Sequence, residues 1–240
     1  MADVQAPAEA PTGGLRPIGK IWGFFKWTLL GYCVLSGLLV LSSLHMHIFL
    51  LRAFEWGDPV TESEGVLVDI HQAIVGLSLL VFMALSWIGY ARFYQRSMYN
   101  ARQLEPDENT IAPMGMWLWH IVPIAALWMP FKGVRQVWDI LKTNAGEEVR
   151  YPAIFGLWWG LWIIANIISN ISWRLPGGAW DFQLSAANYT DYLTVNLIDM
   201  IAGALTVIST LALFRISSKL ASLQKGFTLT GESRLKDVFE

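Results

Sequence analysis

The apolar residues of this chain occur in five long blocks. Each block has 22 to 25 residues and carries no Asp, Glu, Lys or Arg, except for one aspartate in the last: 27–51, 70–91, 109–131, 151–173 and 192–214. A helix rises 1.5 Å per residue, so each block is long enough to approach or cross a hydrocarbon core about 30 Å thick. The pattern therefore predicts an integral membrane protein built from helices.

The basic residues indicate how many of the blocks cross the membrane. Lys and Arg next to membrane spans concentrate on the cytoplasmic side. If all five blocks cross and the N-terminus lies inside, seven basic residues lie inside and ten outside, which is no bias. If the third block returns to the side from which it enters, 15 lie inside and only Arg52 and Arg174 lie outside. The charge pattern therefore predicts four spans with both termini in the cytoplasm.

The third block is also the one that prolines interrupt, at Pro113, Pro123 and Pro130. Proline removes a backbone donor and kinks a helix. We therefore predict that residues 114–131 form a re-entrant or interfacial segment. In residues 131–143, apolar side chains recur at helical spacing with charged residues between them, which is typical of a helix lying in the interface plane.

These patterns together predict an all-α integral membrane protein with four transmembrane helices and one Pro-interrupted re-entrant or interfacial segment. Residues 1–20, rich in Ala, Pro and Gly, are expected to form a disordered cytoplasmic tail, and residues 225–240 a cytoplasmic C-terminal tail. The membrane domain, residues 21–224, is expected to have spans at about 27–51, 67–91, 152–173 and 193–215.

Composition narrows the possible functions by exclusion. Only 15% of the residues are charged, against about 25% in an ordinary globular protein, and 54% are apolar. The 17 basic residues are scattered and the net charge is −2, which argues against nucleic acid as a partner. A lone cysteine, Cys33, excludes an intrachain disulfide and a thiolate metal cluster. The sequence also lacks the common phosphate-loop, zinc-protease and serine-hydrolase motifs, so an enzyme is the least supported function.

A set of short motifs in the middle of the chain resembles a known family. In chain order they are Asn100-Ala101-Arg102, an apolar hairpin containing Trp117 and Pro123, Pro130-Phe131, Val134-Arg135-Gln136-Val137-Trp138 and Trp158-Trp159. Together they resemble the bacterial membrane family named domain of unknown function 4328. The resemblance implies a multi-pass protein of the bacterial cytoplasmic (inner) membrane, and it brings no activity and no catalytic residues.

Polar residues inside the predicted spans gather in the outer half of the membrane. His45, His71 and Asp199 lie at similar depths, and the same layer contains a polar pocket of asparagines: Asn166, Asn170 and Asn196. An ionisable group at mid-span costs about 3 kcal/mol, so it is expected to face a partner or water.

Three interpretations of this layer stay open. The favoured one is that the polar groups bind one another and hold the helices in register. Alternatively, His45, His71 and Asp199 bind a transition metal, or the two histidines hold a haem axially. The third is a path for protons or a solute.

Two further features each allow two interpretations. His120, beside Pro123 in the re-entrant segment, either lines a pore or binds a carbonyl that Pro123 leaves free, and the second is favoured. Gly156 and Gly160 form a GxxxG pattern, which lets helices approach closely, either within one chain or between two copies.

The expected function is that of a non-enzymatic interaction, assembly or accessory subunit. Besides the lipid bilayer, the expected partners are anionic lipid headgroups, bound through the basic residues of 92–150, and another membrane protein. The two alternatives are a haem- or metal-binding redox protein and a small solute or proton transporter or channel.

Overall fold

The protein is described here by a computed structural model. It covers residues 14–107, 109–176, 185 and 187–239, with side chains as far as residue 227. This part of the chain folds into six α-helices and has no strand. The helices are α1 (Gly19–Phe54), α2 (Glu62–Leu104), α3 (Gly115–Leu118), α4 (Met129–Asn144), α5 (Ile154–Ser172) and α6 (Tyr189–Phe239).

Four of these helices, α1, α2, α5 and α6, are long and apolar enough to cross a membrane. The third apolar block contains no such helix. It holds only α3 and a single 3₁₀ turn, Ala125–Leu127. The structure therefore confirms the predicted all-α membrane class with four spans rather than five.

The proline segment, which we define as residues 113–128, explains why the third block forms no long helix. Helix α3 ends at Leu118, five residues before Pro123, and the chain then forms isolated turns until α4 begins. The segment nevertheless exposes large apolar side chains, with Ile121 67% and Ile124 70% exposed. Irregular backbone is tolerated at membrane depth only where protein or water covers it, so exposed apolar side chains on such a segment are better suited to the interfacial layer.

The long helices continue beyond the predicted spans. The span predicted to end at residue 91 belongs to a helix of 43 residues that ends at Leu104. In this extension Phe93, Tyr94 and Met98 are fully buried, so packing on one face maintains the helix after the apolar block has ended. Likewise, α6 continues to Phe239, through most of the predicted C-terminal tail.

The chain divides into two compact units. Unit 1 consists of Met1–Trp22, Ala91–Arg150 and Lys219–Glu240. Unit 2 consists of Gly23–Tyr90 and Tyr151–Ser218. Among the described residues, unit 1 therefore contains the proline segment and α4, whereas unit 2 contains α5 and the apolar parts of α1, α2 and α6.

In unit 1, the core is formed largely by α4. Its buried face includes Val134, Val137 and Leu141, each with no exposed surface. At Gly133 the helix lies so close to the proline segment that a Cβ there would be 2.7 Å from the Met116 sulfur. Helix α4 covers residues 131–143, for which an interfacial helix was predicted. Its apolar face, however, packs against other parts of the protein.

Unit 2 relies on glycines for the close approach of its helices. A Cβ at Gly203 would lie 2.7 Å from the Val40 side chain, and one at Gly89 would lie 3.0 Å from the backbone Cα of Phe25. A Cβ at Gly31 would overlap the ring of Phe82. These three positions let α1 pack directly against α2 and α6.

The predicted helix-packing pattern at Gly156 and Gly160 is not used in this way. Within the described part of the chain, a Cβ at either glycine would meet no atom of another helix within 4 Å. Neither glycine therefore permits a close helix approach within the described part of the chain. Contact between two copies of the chain, the other interpretation, stays a prediction.

The start of the chain is more ordered than its composition indicated. The predicted disordered tail, residues 1–20, includes seven residues that the structure describes. Ile18 is only 2% exposed, and α1 begins at Gly19. The burial of Ile18 anchors these residues, which differs from the prediction for 14–20. Residues 1–13 lie outside the described part of the chain.

Candidate functional site

A buried hydrogen-bond network joins three distant segments of unit 1. Asn100 on α2 accepts a hydrogen bond from the Arg16 backbone N–H through Oδ1, and its Nδ2 donates to the Arg16 carbonyl, both at 2.9 Å. The same Nδ2 donates to Oε1 of Gln224 on α6, and Gln224 donates in turn to Oγ of Ser97, again at 2.9 Å. All three side chains are at most 2% exposed.

This network has a clear physical role. A buried amide without partners costs free energy, so the groups of Asn100 are stable there only while Arg16 and Gln224 occupy their places. Ser97 and Asn100 are three residues apart and therefore share a helix face. The network thus fixes the N-terminal segment and α6 against one face of α2.

Next to this network lies a groove of about 400 Å³, which we call the arginine groove. Its lining residues are Arg16, Ile21, Arg92, Gln95, Arg96, Tyr99 and Pro113. Four of them fall at positions i, i+3, i+4 and i+7 of α2, which places them along one side of the helix.

Arg16 completes the arginine groove from a distant part of the sequence. Its guanidinium carbon lies 3.8 Å from the centroid of the Tyr99 ring, within the range of a cation–π contact. Because the Arg16 backbone is held by Asn100, the guanidinium is positioned from both ends of the residue. A second cavity, of about 490 Å³, shares Tyr99 and Pro113 with the arginine groove.

The arginines of the arginine groove have no acidic partner among the residues that the structure describes. The ion pairs among the described residues lie elsewhere: Arg52 with Asp58 and Glu64, Glu147 with Lys142 and Lys219, and Arg150 with Glu148. The residues that line the groove also include no carboxylate. Three guanidinium charges thus share one concave surface without a counter-charge in the part of the chain described.

Elsewhere in unit 1, a bridging carboxylate ties α6 to the chain that follows α4. Glu147 lies 2.9 Å from the Lys219 ammonium and 3.2 Å from that of Lys142. Hydrogen bonds from Lys219 and then Lys142 lower the pKa of the Glu147 carboxyl below its ordinary value. These two lysines are therefore engaged within the protein.

In unit 2, the structure brings two of the predicted site residues together. The ring centroids of His45 and His71 are 6.2 Å apart, with 54° between the ring planes. Nδ1 of His71 lies 3.2 Å from Oγ of Ser42, and Gln72 donates to the Ser42 carbonyl at 3.4 Å. His45 and His71 therefore lie next to each other where α1 contacts α2.

Asp199 does not complete a metal site with these histidines. Its carboxylate accepts a hydrogen bond of 2.6 Å from Oγ of Ser172 on α5. No group of three or more His, Cys, Asp or Glu side chains lies close enough to hold a metal ion among the residues described. The predicted three-ligand arrangement of His45, His71 and Asp199 is therefore not formed in this part of the chain.

The three asparagines of the predicted polar pocket each form a hydrogen bond within their own helix. Asn166 and Asn170 on α5 each donate to the carbonyl four residues earlier, at 2.7 and 2.9 Å, and Asn196 does the same on α6 at 3.0 Å. Each amide is thus bound to its own helix. Asn170 lines a cavity of about 250 Å³ with Ser169, Trp173 and Arg174.

His120 and Pro123 lie in the proline segment, in unit 1. His120 is partly buried and its side chain interacts with the backbone of Trp117, whereas Pro123 is exposed. The backbone group belongs to Trp117, six residues before Pro123, and is not the carbonyl that Pro123 leaves free. Both interpretations of His120 therefore stay predictions.

Sequence reasoning missed most of the arginine groove. The spacing of Arg92, Gln95, Arg96 and Tyr99 is a recognisable helical signal and could have been found. Arg16 gives no such signal, because it lies in a segment whose composition resembles a disordered tail. Its position depends on long-range hydrogen bonds that no local pattern encodes.

Comparison with known proteins identifies a family for this chain. No curated protein and no solved structure matches the chain. A family model described as "Domain of unknown function (DUF4328)" matches residues 60–218, about two thirds of the chain. The match runs from just before α2 into α6 and includes Arg92, Arg96 and Asn100. The chain therefore belongs to the DUF4328 family, as its central motifs indicated.

Proposed function

We propose that this protein is a non-enzymatic interaction or accessory subunit of a membrane assembly, with unit 1 as its binding face. The observation that supports this proposal is the construction of unit 1. Buried hydrogen bonds hold three distant segments together beside a basic surface that the described acidic residues leave unneutralised. A rigid body with an unsatisfied charge is suited to recognising a partner.

Two features of unit 1 favour a position at the membrane surface. The proline segment exposes Ile121, Ile124 and Trp128, which are apolar enough to enter the headgroup and acyl boundary. The basic residues of 92–150 are suited to the anionic headgroups of the same surface. We therefore place anionic lipid and a membrane-protein partner among the ligands of unit 1.

The proposed location is the cytoplasmic membrane, with both termini on the cytoplasmic side. The ratio of 15 basic residues to 2 supports this orientation. Single cysteines at Thr143 and at Ser63, introduced into a Cys33→Ser background, test it directly, because both positions are exposed. A membrane-impermeant thiol reagent applied from outside is expected to label Ser63→Cys and to leave Thr143→Cys unmodified. Labelling of Thr143→Cys would overturn the orientation.

The interaction role is tested by the mass of the natively extracted protein. After extraction into polymer nanodiscs, the 27.0 kDa chain is expected to migrate with a second subunit at fixed stoichiometry. An Arg92→Gln/Arg96→Gln variant is expected to lose that subunit, whereas Lys132→Gln, an exposed charge outside the arginine groove, retains it. Recovery of the wild type as a single chain in every preparation would contradict the proposal.

Metal or haem binding is a second candidate, and the contact between His45 and His71 is the observation that favours it. Two imidazoles on opposite sides of one metal, each about 2 Å from it, have ring centres roughly 6 Å apart. The observed separation of 6.2 Å is of this size. The test is the absorption spectrum and metal content of purified protein, compared between His45→Ala and the neighbouring control His47→Ala. A colourless, metal-free wild type would exclude this candidate.

A further inference from the structure

We infer that the arginine groove is a binding site for a phosphate group carried by an anionic ligand. This inference rests on the proposed binding role of unit 1 and names the chemistry that unit 1 recognises. The ligand source that best suits a groove in a membrane protein is a phospholipid headgroup, and free phosphate is the other source of the same chemistry.

The donors in the groove match a phosphate. Arg16, Arg92 and Arg96 carry guanidinium groups, whose planar forks bind phosphate oxygens in pairs. Gln95 adds an amide donor to the same lining. Several donors directed into one concavity can surround a tetrahedral anion more completely than separate basic residues on an open surface.

The charge balance of the groove favours an anion over other occupants. Like charges on one surface repel, and no described carboxylate pairs with these arginines. Asp107 lines the neighbouring cavity but not the groove itself. A bound phosphate would supply the missing counter-charge. A cation or an uncharged apolar ligand would leave the repulsion between the three guanidinium groups in place.

The arginine groove is preorganised by groups that do not face the ligand. Two hydrogen bonds from Asn100 fix the Arg16 backbone, and the Tyr99 ring supports its guanidinium at 3.8 Å. Residues already held in place lose less conformational freedom on binding, which raises affinity. The two other arginines stand on α2, a turn apart, so their separation is fixed by the helix.

The size and walls of the groove favour a lipid. Its volume of about 400 Å³ lies within the range of small-molecule sites and exceeds what a bare phosphate would fill. Ile21 and Pro113 provide apolar walls beside the charged ones. A glycerol backbone attached to the phosphate would contact these two side chains while the guanidinium groups bind the anionic oxygens.

The experiment uses the full-length protein in two arms. In the lipid arm, native mass spectrometry measures lipid retained from mixed micelles of phosphatidylglycerol and phosphatidylcholine. We expect one phosphatidylglycerol per chain, with retention at least tenfold lower in Arg92→Gln/Arg96→Gln. The control Arg150→Gln, an exposed arginine that pairs with Glu148 outside the groove, is expected to stay within twofold of the wild type. In the phosphate arm, calorimetry measures inorganic phosphate binding in phosphatidylcholine nanodiscs.

Two further variants separate a built site from diffuse charge. Arg96→Lys keeps the charge but removes the planar fork, so a specific site predicts a severalfold loss of retained lipid. Asn100→Ala removes no side chain that lines the groove but releases the Arg16 backbone, and it too is expected to reduce retention. If Arg96→Lys binds like the wild type, or if Arg150→Gln loses as much lipid as the groove variants, the inference is overturned.

The outcomes also distinguish the ligand source and the parent proposal. Phosphatidylglycerol retained without detectable inorganic phosphate binding identifies the lipid as the ligand, whereas binding of both, lost together in the groove variants, identifies phosphate itself. Binding of neither overturns the site. If neither binds, a fixed-stoichiometry partner in nanodiscs would still support the interaction role. Conversely, a lone chain that retains phosphatidylglycerol would support the site and contradict the interaction role.

Discussion

Replacing Asn100 by alanine is the most direct test of how unit 1 is held together. The substitution removes three hydrogen bonds of 2.9 Å, two to the Arg16 backbone and one to the side chain of Gln224. It leaves three groups that must find other partners: the Arg16 backbone N–H, the Arg16 carbonyl oxygen and Oε1 of Gln224. Because all three bonds join segments far apart in the sequence, their loss affects the packing of the whole unit.

The size of the effect follows from the burial of the orphaned groups. A buried polar group left without a partner costs about 1–3 kcal/mol. The bond to Gln224 is fully buried, so Oε1 of Gln224 bears most of that cost, whereas the groups of Arg16 are only partly buried and water can reach them. We therefore expect Asn100→Ala to reduce the free energy of unfolding by about 2–4 kcal/mol.

The assay is equilibrium unfolding in detergent, followed by tryptophan fluorescence, together with limited trypsin digestion. Release of the N-terminal segment is expected to accelerate cleavage after Lys20, an exposed residue at the start of α1. The matched control is Asn144→Ala, an exposed asparagine on α4 that bonds only to its own helix at 2.8 Å. A loss for Asn100→Ala no larger than that for Asn144→Ala would refute the reasoning.

Two further experiments test features of the fold. Gly89→Ala places a methyl group 3.0 Å from the backbone of Phe25 and is expected to destabilise the protein by about 1–3 kcal/mol in the same unfolding assay. The control is Gly76→Ala on the same helix, where a Cβ would meet nothing within 4 Å. This variant is expected to be neutral or slightly stabilising. Equal stability of the two variants would contradict the close packing. The lowered pKa of Glu147 means that its contribution to stability is complete above the ordinary glutamate pKa and is lost as the pH falls through the lowered pKa. The Glu147→Gln variant should therefore show a smaller loss of stability between pH 6 and pH 3 than the wild type, and identical pH profiles would show that the ion pairs contribute nothing.

The parts of the fold that were predictable are those set by lengths and charges. A block of apolar residues must be long enough to cross a bilayer. Four spans leave only Arg52 and Arg174 outside, whereas five spans would divide the basic residues almost evenly between the two sides. Prolines at 113, 123 and 130 marked the block that fails to form a long helix. These features depend on local sequence and on the membrane, which acts on every residue in the same way.

The parts that were not predictable depend on which residues meet. His45 and His71 were placed at one depth, but only the structure shows that they are neighbours around the helix axes. Small residues at Gly156 and Gly160 allow close packing, but within the described part of the chain the close approaches occur at positions such as Gly89 and Gly203. How closely a glycine lets two helices approach depends on the residue opposite it, and the sequence of one helix does not contain that information.

The network around Asn100 has a consequence for how the protein is made. Its hydrogen bonds connect residues separated by 84 and 124 positions, from residue 16 to residue 224. During synthesis the N-terminal segment is therefore produced long before Gln224, which completes the network that holds this segment. Gln224 comes from the last helix, so a chain interrupted within α6 would insert its earlier spans and still lack a finished unit 1. The ability to bind a ligand at the arginine groove would then report that the chain has been translated and folded at least as far as Gln224.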